Sequence, residues 1–361
     1  MVIDFALGDE LELVRDTARA FADDHLRPGE RACEAARGVP EAVRRAFAEI
    51  GLAALELPES LGGAGLGALA RVLVLEELAA GDAGAALALD PWGPALYPLA
   101  RLGGEDALRE LALPLLGRPG ARAVLVWNAA RHLAVAGGRA RGRVPWVPAD
   151  RVDLLVALDA GGAFAVAEGI ACEPLRGAGL RAAGAAELRL DGAPVCGSWR
   201  DAAGAREALA RARLHAAALL VGVMRASADF SRRYALQRVA FGKPIAHHQA
   251  LAFLIADMAS AVDAARLLVW DAAWRLERGH EAGEACATAF AEAAEQAMFV
   301  TPSGLQILGG HGFMQDYPVE KHMREARALG LLLGGADAAR EEAGRALVAL
   351  EGRVPLGAEP G

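Results

Sequence analysis

The stretch Arg238-Val239-Ala240-Phe241-Gly242-Lys243-Pro244-Ile245, followed at once by His247-His248-Gln249, interrupts one long helical pattern and starts another. Before it, Leu209, Leu214, Ala217, Leu220, Val221, Met224 and Ala228 recur at helical spacing, and the pattern runs to about Gln237. Gly242 and Pro244 end it. After it, Leu251, Leu254, Ile255, Met258, Val262 and Leu267 carry a second helix over about 246–278. A third spans about 284–308 and runs into Gln306-Ile307-Leu308-Gly309-Gly310-His311-Gly312-Phe313. A fourth helical region covers about 318–350, broken at Gly334-Gly335. Four long helices in succession predict an antiparallel bundle over 204–361.

The patterns outside the bundle are of two kinds. Over 1–118 the spacing is helical, with Leu11, Leu13, Val14, Ala18 and Phe21 in one segment and Val43, Ala46, Phe47 and Ile50 in another. Pro58-Glu59-Ser60-Leu61-Gly62-Gly63-Ala64-Gly65 demands a loop, and a helix resumes through Val72, Leu73, Leu75, Glu76, Glu77 and Leu78. Over 119–203 short apolar runs (123–127, 154–158 and 164–167) alternate with Gly, Pro and Asp, the mark of a compact β domain. Asp191-Gly192 reads as a tight turn between two short strands. The expected fold is therefore mainly α with a central β domain: an N-terminal helical domain, a middle β domain and a C-terminal four-helix bundle.

Composition narrows the partners. A net charge of −8 argues against a nucleic-acid binder, which would carry a basic face. No apolar run is long enough to span a bilayer, and the first residues lack the form of a signal peptide, so a soluble, cytoplasmic protein is expected. Cys33, Cys172, Cys196 and Cys286 lie far apart, without metal-ligand or disulfide-framework spacing. Adjacent His247 and His248 would point in different directions on a helix, so no metal is expected there.

The two quoted stretches, the Asp316-Tyr317-Pro318-Val319-Glu320-Lys321 run after them and the α–β–bundle order resemble the acyl-CoA dehydrogenase family along nearly the whole chain. The resemblance implies FAD as cofactor and an acyl-CoA thioester as substrate. It carries Arg238, Phe241, Gln249, Gln306 and Gly310 onto positions that reach the dinucleotide bound to a neighbouring subunit, and so implies a dimer or tetramer. An arginine suits pyrophosphate, an aromatic offers a face to a ring, and paired glycines let backbone come close. Arg213 matches a family arginine associated with bound CoA.

The chemistry departs from the pattern. The family's reaction needs a carboxylate to take the α-proton of the thioester. Counting from Gln306 as the family does reaches Leu333, and the alternative location on the first bundle helix is Ala212. Neither side chain accepts a proton. Asp337, one turn beyond Leu333, is a conceivable substitute. In the β domain the family's hydroxyl-bearing segments are missing, and Pro145-Trp146-Val147-Pro148 stands in place of one. Trp127 or Trp146 could stack on the flavin, with core packing the plainer role.

Three readings follow from the resemblance. This chain is a subunit of a heteromeric acyl-CoA dehydrogenase whose paralogous partner supplies the glutamate, with an electron-transfer flavoprotein as possible acceptor; or a homomeric flavoenzyme with an unrecognised base or different chemistry; or a non-catalytic subunit that binds acyl-CoA or supports an assembly. Fold does not choose among them.

Overall fold

A computed structural model describes residues 6–349, so the ends of the expected first and last domains, 1–5 and 350–361, lie outside the described residues. The N-terminal part contains α1 (Asp9–Phe21), α2 (Glu30–Ala36), α3 (Glu41–Glu49) and α4 (Ala68–Leu89), then short helical pieces α5 (Leu96–Pro98), α6 (Gly104–Ala107) and α7 (Leu113–Leu116). Helix α1 opens on Asp9, Glu10 and Glu12 and closes on Arg19, which suits the helix dipole, and it buries Ala18 and Phe21. Helix α4 is buried almost throughout and breaks at Asp82, whose backbone is extended (φ −166°). Asp82 then caps the resumed helix, accepting the Ala85 N–H at 3.0 Å.

The middle part is a seven-stranded sheet ordered β1 (Ala123–Trp127), β4 (Leu154–Asp159), β5 (Gly162–Val166), β7 (Ala186–Arg200), β3 (Arg139–Val147), β2 (Leu133–Ala136), with β6 (Ile170–Pro174) also on β7. β1 and β4 are parallel, with Leu125 opposite Val156, and the other pairs are antiparallel. Val126, Val144, Leu155, Phe164 and Leu188 belong to a core inside this part of the chain. The Asp191-Gly192 turn expected from sequence does not form. β7 runs straight through it, Ala140 pairing with Ala193 and Arg141 with Asp191, so Gly192 is the extra residue of a β-bulge. Its φ of +75° is what a bulge glycine and a turn glycine both need, which is why the dipeptide misled.

The bundle consists of α8 (Ala202–Gln237), α9 (Gln249–Glu277), α10 (Gly283–Leu308) and the pair α11 (Val319–Leu329) and α12 (Gly335–Ala349). Asp201 caps α8, accepting the Ala203 and Gly204 N–H groups at 3.0 Å. Glu76 and Glu77 tie α4 to α1, α8 and α9: Glu77 pairs with Arg19 at 2.8 Å and Arg225 at 2.6 Å, and Glu76 with Arg266 at 3.0 Å. Gly222 of α8 lets the helices meet closely there, since a Cβ would lie 2.3 Å from the Glu76 carbonyl oxygen. No helix among the described residues is long and apolar enough to cross a membrane.

Candidate active site

The break after α8 is a two-residue hairpin. β8 (Val239–Ala240) pairs with β9 (Lys243–Pro244) around Phe241 and Gly242, both at positive φ (54° and 80°), the geometry of a type I′ turn. Phe241 is a bulky residue in a conformation that glycine prefers, and it is 96 % exposed. The hairpin is held at its base by Ile245 N–H to Arg238 O at 2.8 Å and by His248 Nε2 to Ala240 O at 3.1 Å. Gln249 starts α9, and Gln306 lies in the last turn of α10 beside Gly309 and Gly310, where an added Cβ would meet no atom within 4 Å. Arg238, Phe241, Gln249, Gln306 and Gly310 are all exposed. Tyr234 Oη of α8 meets His311 Nδ1 at 2.8 Å, and Tyr317 stacks on the His311 ring, so the second quoted stretch is braced against the end of α8.

A cavity of about 440 Å³ opens between β1, β3, the end of α4, the middle of α8 and the 331–338 turn. Its size suits a small organic ligand. Trp127 and Trp146 both line it, half-buried, and both also pack against the main hydrophobic core, the plainer role expected of them. β1 is an end strand of the sheet, so its second edge carries main-chain groups that no strand pairs. Ala212 and Leu333 line the cavity too, and neither can move a proton. Leu333 sits at φ 55°, again in the left-handed region. Leu331, Leu332 and Leu333 complete an apolar wall.

Two expected residues are not brought to this cavity. Arg213 points elsewhere: it is 1 % exposed and forms an ion pair with Glu342 of α12. It lies between Ala212 and the cavity-facing turn beyond, but one residue along a helix turns the side chain by about 100°. Asp337 is not among the cavity-lining residues, and its fully exposed side chain lies in the first turn of α12. The five residues of the hairpin and the α10 terminus do not line the cavity either. Among the described residues, no three His, Cys, Asp or Glu side chains come together as a metal site.

The polar groups that do line the cavity escaped the sequence reading. Asp90 is buried and filled: Oδ1 accepts the N–H groups of Trp92 at 3.0 Å and Gly93 at 2.8 Å, and Oδ2 takes the Arg71 guanidinium. Burial works against its charge, but Arg71 and these N–H donors outweigh it and hold the carboxyl below its usual range. Arg122 gives one N–H to Pro148 O at 3.2 Å and leaves Nε without a partner; burial pulls the guanidinium down to about 10, so it stays cationic at neutral pH. His215 is 3 % exposed, and its Nε2 also has no partner. One signal in the sequence marks His215: on a helix, Ala212, His215, Ala216 and Leu219 share a face, so a residue one turn from Ala212 lines the same cavity.

Taken together, an apolar cleft walled by two indoles, an unpaired strand edge and two orphaned buried nitrogens fit an aromatic, partly polar group such as a flavin with its substrate.

The N-terminal domain model of acyl-CoA dehydrogenases matches residues 8–117, and the C-terminal domain model matches 203–348. Benzylmalonyl-CoA dehydrogenase of Aromatoleum aromaticum is 32 % identical over 92 % of this chain and 96 % of its own. Acryloyl-CoA reductase (NADH) of Anaerotignum propionicum is 30 % identical over 90 % of this chain and 91 % of its own. The solved structure of the steroid ACAD Tcur3481-Tcur3483 superposes with a TM-score of 0.85 at 26 % identity, covering 96 % of this chain and 100 % of the other. The family is one of FAD-binding flavoproteins, and this chain belongs to the acyl-CoA dehydrogenase family.

Proposed function

We propose that the chain is an FAD-dependent oxidoreductase that desaturates an acyl-CoA thioester at its α,β bond as one subunit of a heteromeric assembly. One observation carries the reading: Arg238, Phe241, Gln249, Gln306 and Gly310 are exposed and lie off their own chain's cavity, while that cavity has no carboxylate at 212 or 333. Exposed phenylalanines at Phe241 and Phe313, with Val239 and Met314, form the kind of apolar surface that a partner covers. In the assembly Arg238 pairs with the pyrophosphate of the neighbour's FAD, Phe241 lies against its rings, Gln249 and Gln306 offer amides, and Gly310 offers backbone.

When bound, FAD supplies the oxidant that receives the β-hydrogen as hydride. Trp127 and Trp146 hold its ring system, the leucines at 331–333 exclude water from the reacting carbons, and Arg122 offers a cation near the carbonyl end. The names of the two relatives, a dehydrogenase and a reductase of CoA thioesters, support this class of chemistry, and a steroid ACAD named for two gene products supports a two-chain assembly. The assembly is a dimer or tetramer, cytoplasmic, and passes electrons to an electron-transfer flavoprotein. Arg213 is left to the scaffold rather than to CoA.

A second reading is a homomeric flavoenzyme with a base of its own, for which the titratable side chains lining the cavity, Asp90, His132 and His215, are the candidates. Co-expression separates the two. The chain alone is expected to purify colourless or aggregated, and with a dehydrogenase paralogue encoded beside it to purify yellow and reduce an artificial acceptor with an acyl-CoA. Yellow, active protein from this chain alone would sink the heteromer.

A further inference from the structure

The cavity is walled mostly by apolar groups and carries one permanent cation. Of the residues that line it, Arg122 is the only arginine or lysine. Arg122 leads into β1 and reaches across to the residue after β3, where its Nη2 donates to Pro148 O at 3.2 Å. Both residues line the cavity, so the guanidinium stands in its wall between the two strands. Nε is enclosed. Among the described residues Nη1 neither meets a hydrogen-bond partner nor is enclosed, and it forms the open corner of the group.

The charge is not met within the chain. Among the described residues the Arg122 guanidinium forms no ion pair. Asp90, in the same wall, is taken by Arg71 and by the Trp92 and Gly93 N–H groups. Asp153 accepts the Arg122 backbone N–H at 3.0 Å and pairs with Arg151 at 2.7 Å. Asp150 attracts the guanidinium from beyond ion-pair distance, and Arg44, which donates to the Val39 and Ala88 carbonyl oxygens, repels it. Burial brings the group down only to about 10, so the charge persists at neutral pH. A buried guanidinium with a single carbonyl partner is unfavourable in the chain alone and becomes favourable when a ligand brings the anion. A thioester carbonyl accepts a hydrogen bond without cancelling the charge. A carboxylate does both, and it matches the planar fork of donors.

We propose that Arg122 is a specificity-determining residue whose guanidinium binds a second, ionised carboxylate on the acyl group, so that the thioester this cavity takes is the mono-CoA ester of a short dicarboxylic acid. The inference rests on the acyl-CoA reading above and narrows its substrate class. A cavity of about 440 Å³ that also takes a flavin ring leaves room for few carbons, hence the short chain. The carboxylate is untouched by desaturation. It anchors the acyl group at the Arg122 and Pro148 wall, while Trp127, Trp146 and the leucines at 331–333 face the apolar carbons.

The test titrates the assembled flavoprotein calorimetrically with succinyl-CoA, glutaryl-CoA and their apolar isosteres, 4-methylpentanoyl-CoA and 5-methylhexanoyl-CoA. No electron acceptor is present, and the active-site carboxylate of any partner subunit is replaced by the amide. Arg122 is replaced in this chain alone, so a difference between variants reads this cavity. At least one diacid thioester is expected to bind about 10- to 100-fold tighter than its isostere. Arg122→Met should abolish that preference and leave the isostere's Kd and the flavin content nearly unchanged. Arg122→Lys should keep part of the preference, since a point charge replaces a fork. The wild-type ratio needs no variant, so it decides even where Arg122→Met does not fold. Equal affinities of diacid and isostere in wild type, or a preference unchanged in Arg122→Met, would overturn the proposal alone. Arg122→Met protein that loses its flavin but keeps the diacid preference would give the cation to the cofactor and overturn the proposal as well. Wild-type protein that binds none of the four thioesters would overturn the acyl-CoA reading, and the proposal with it.

Discussion

Lys321 Nζ lies 3.0 Å from Asp82 Oδ1, both side chains out of contact with water, at the point where α4 breaks and resumes. Glu325, one turn along α11, completes the cluster at 2.8 Å. Lys321→Met is therefore expected to leave two buried carboxylates without their cation and to cost about 3–5 kcal/mol, because an unpaired buried charge is far worse than no charge. Urea unfolding checks this. Lys321→Met/Glu325→Gln should recover part of the loss, and a single variant within 1 kcal/mol of wild type would mean that water reaches the cluster.

The exposed hairpin predicts the opposite behaviour. Among the described residues the Arg238 and Gln306 side chains form no hydrogen bond or ion pair, and the backbone bonds of both residues survive truncation, so Arg238→Ala and Gln306→Ala should each change stability by no more than about 0.5 kcal/mol. Both are expected to lower the flavin content of the assembled protein, which the ratio of flavin to protein absorbance measures. Unchanged flavin content in the double variant would refute the cofactor role.

The order of domains was legible because each rests on a local period: 3.6 residues in α8 to α10, two in the strands, and a Gly and a Pro where α8 stops. The hairpin's form was not, because Phe241 at positive φ is a choice that no propensity favours. Gly192 was misread because a bulge and a turn ask the same of a glycine. The site was half legible. Leu333 and Ala212 were found by counting and do line the cavity, whereas Arg213, their neighbour in sequence, turns away to Glu342. Asp90, Arg122 and His215 stayed hidden because they meet only when α4, β1 and α8 fold together.

Acid should weaken the fold through two buried histidines. His215 and His322 are both pushed down to about 3, chiefly by burial, then by Arg71 against Asp90 for the first and by Lys321, Arg27 and Arg31 for the second. An unfolded histidine titrates near 6.5, so below that pH the unfolded chain binds protons that the folded chain refuses. The stabilisation is thus present above about 6.5 and lost as pH falls toward 3. Between pH 7 and 5 each histidine should cost about 2 kcal/mol. Urea unfolding at the two pH values checks this, and His322→Gln should lower the difference by about 2 kcal/mol.

A carboxylate placed at 333 tests whether the cavity lacks only a base. Leu333 lines the cavity, and Trp127, another lining residue, reaches the same turn: a Cβ added at Gly334 would stand 3.5 Å from its ring. The left-handed backbone at 333 costs a glutamate no more than it costs the leucine already there. Burial among leucines would raise the new carboxyl toward neutrality, which suits a proton acceptor. With the active-site carboxylate of any partner subunit replaced by the amide, Leu333→Glu is expected to raise the flavin-bleaching rate of the assembled protein with butyryl-CoA at least about tenfold, a small part of what a well-placed base supplies. Leu333→Gln has the same shape without the base and should leave the rate unchanged. Equal rates from the two variants would mean that the 331–334 turn does not present residue 333 to the reacting carbon.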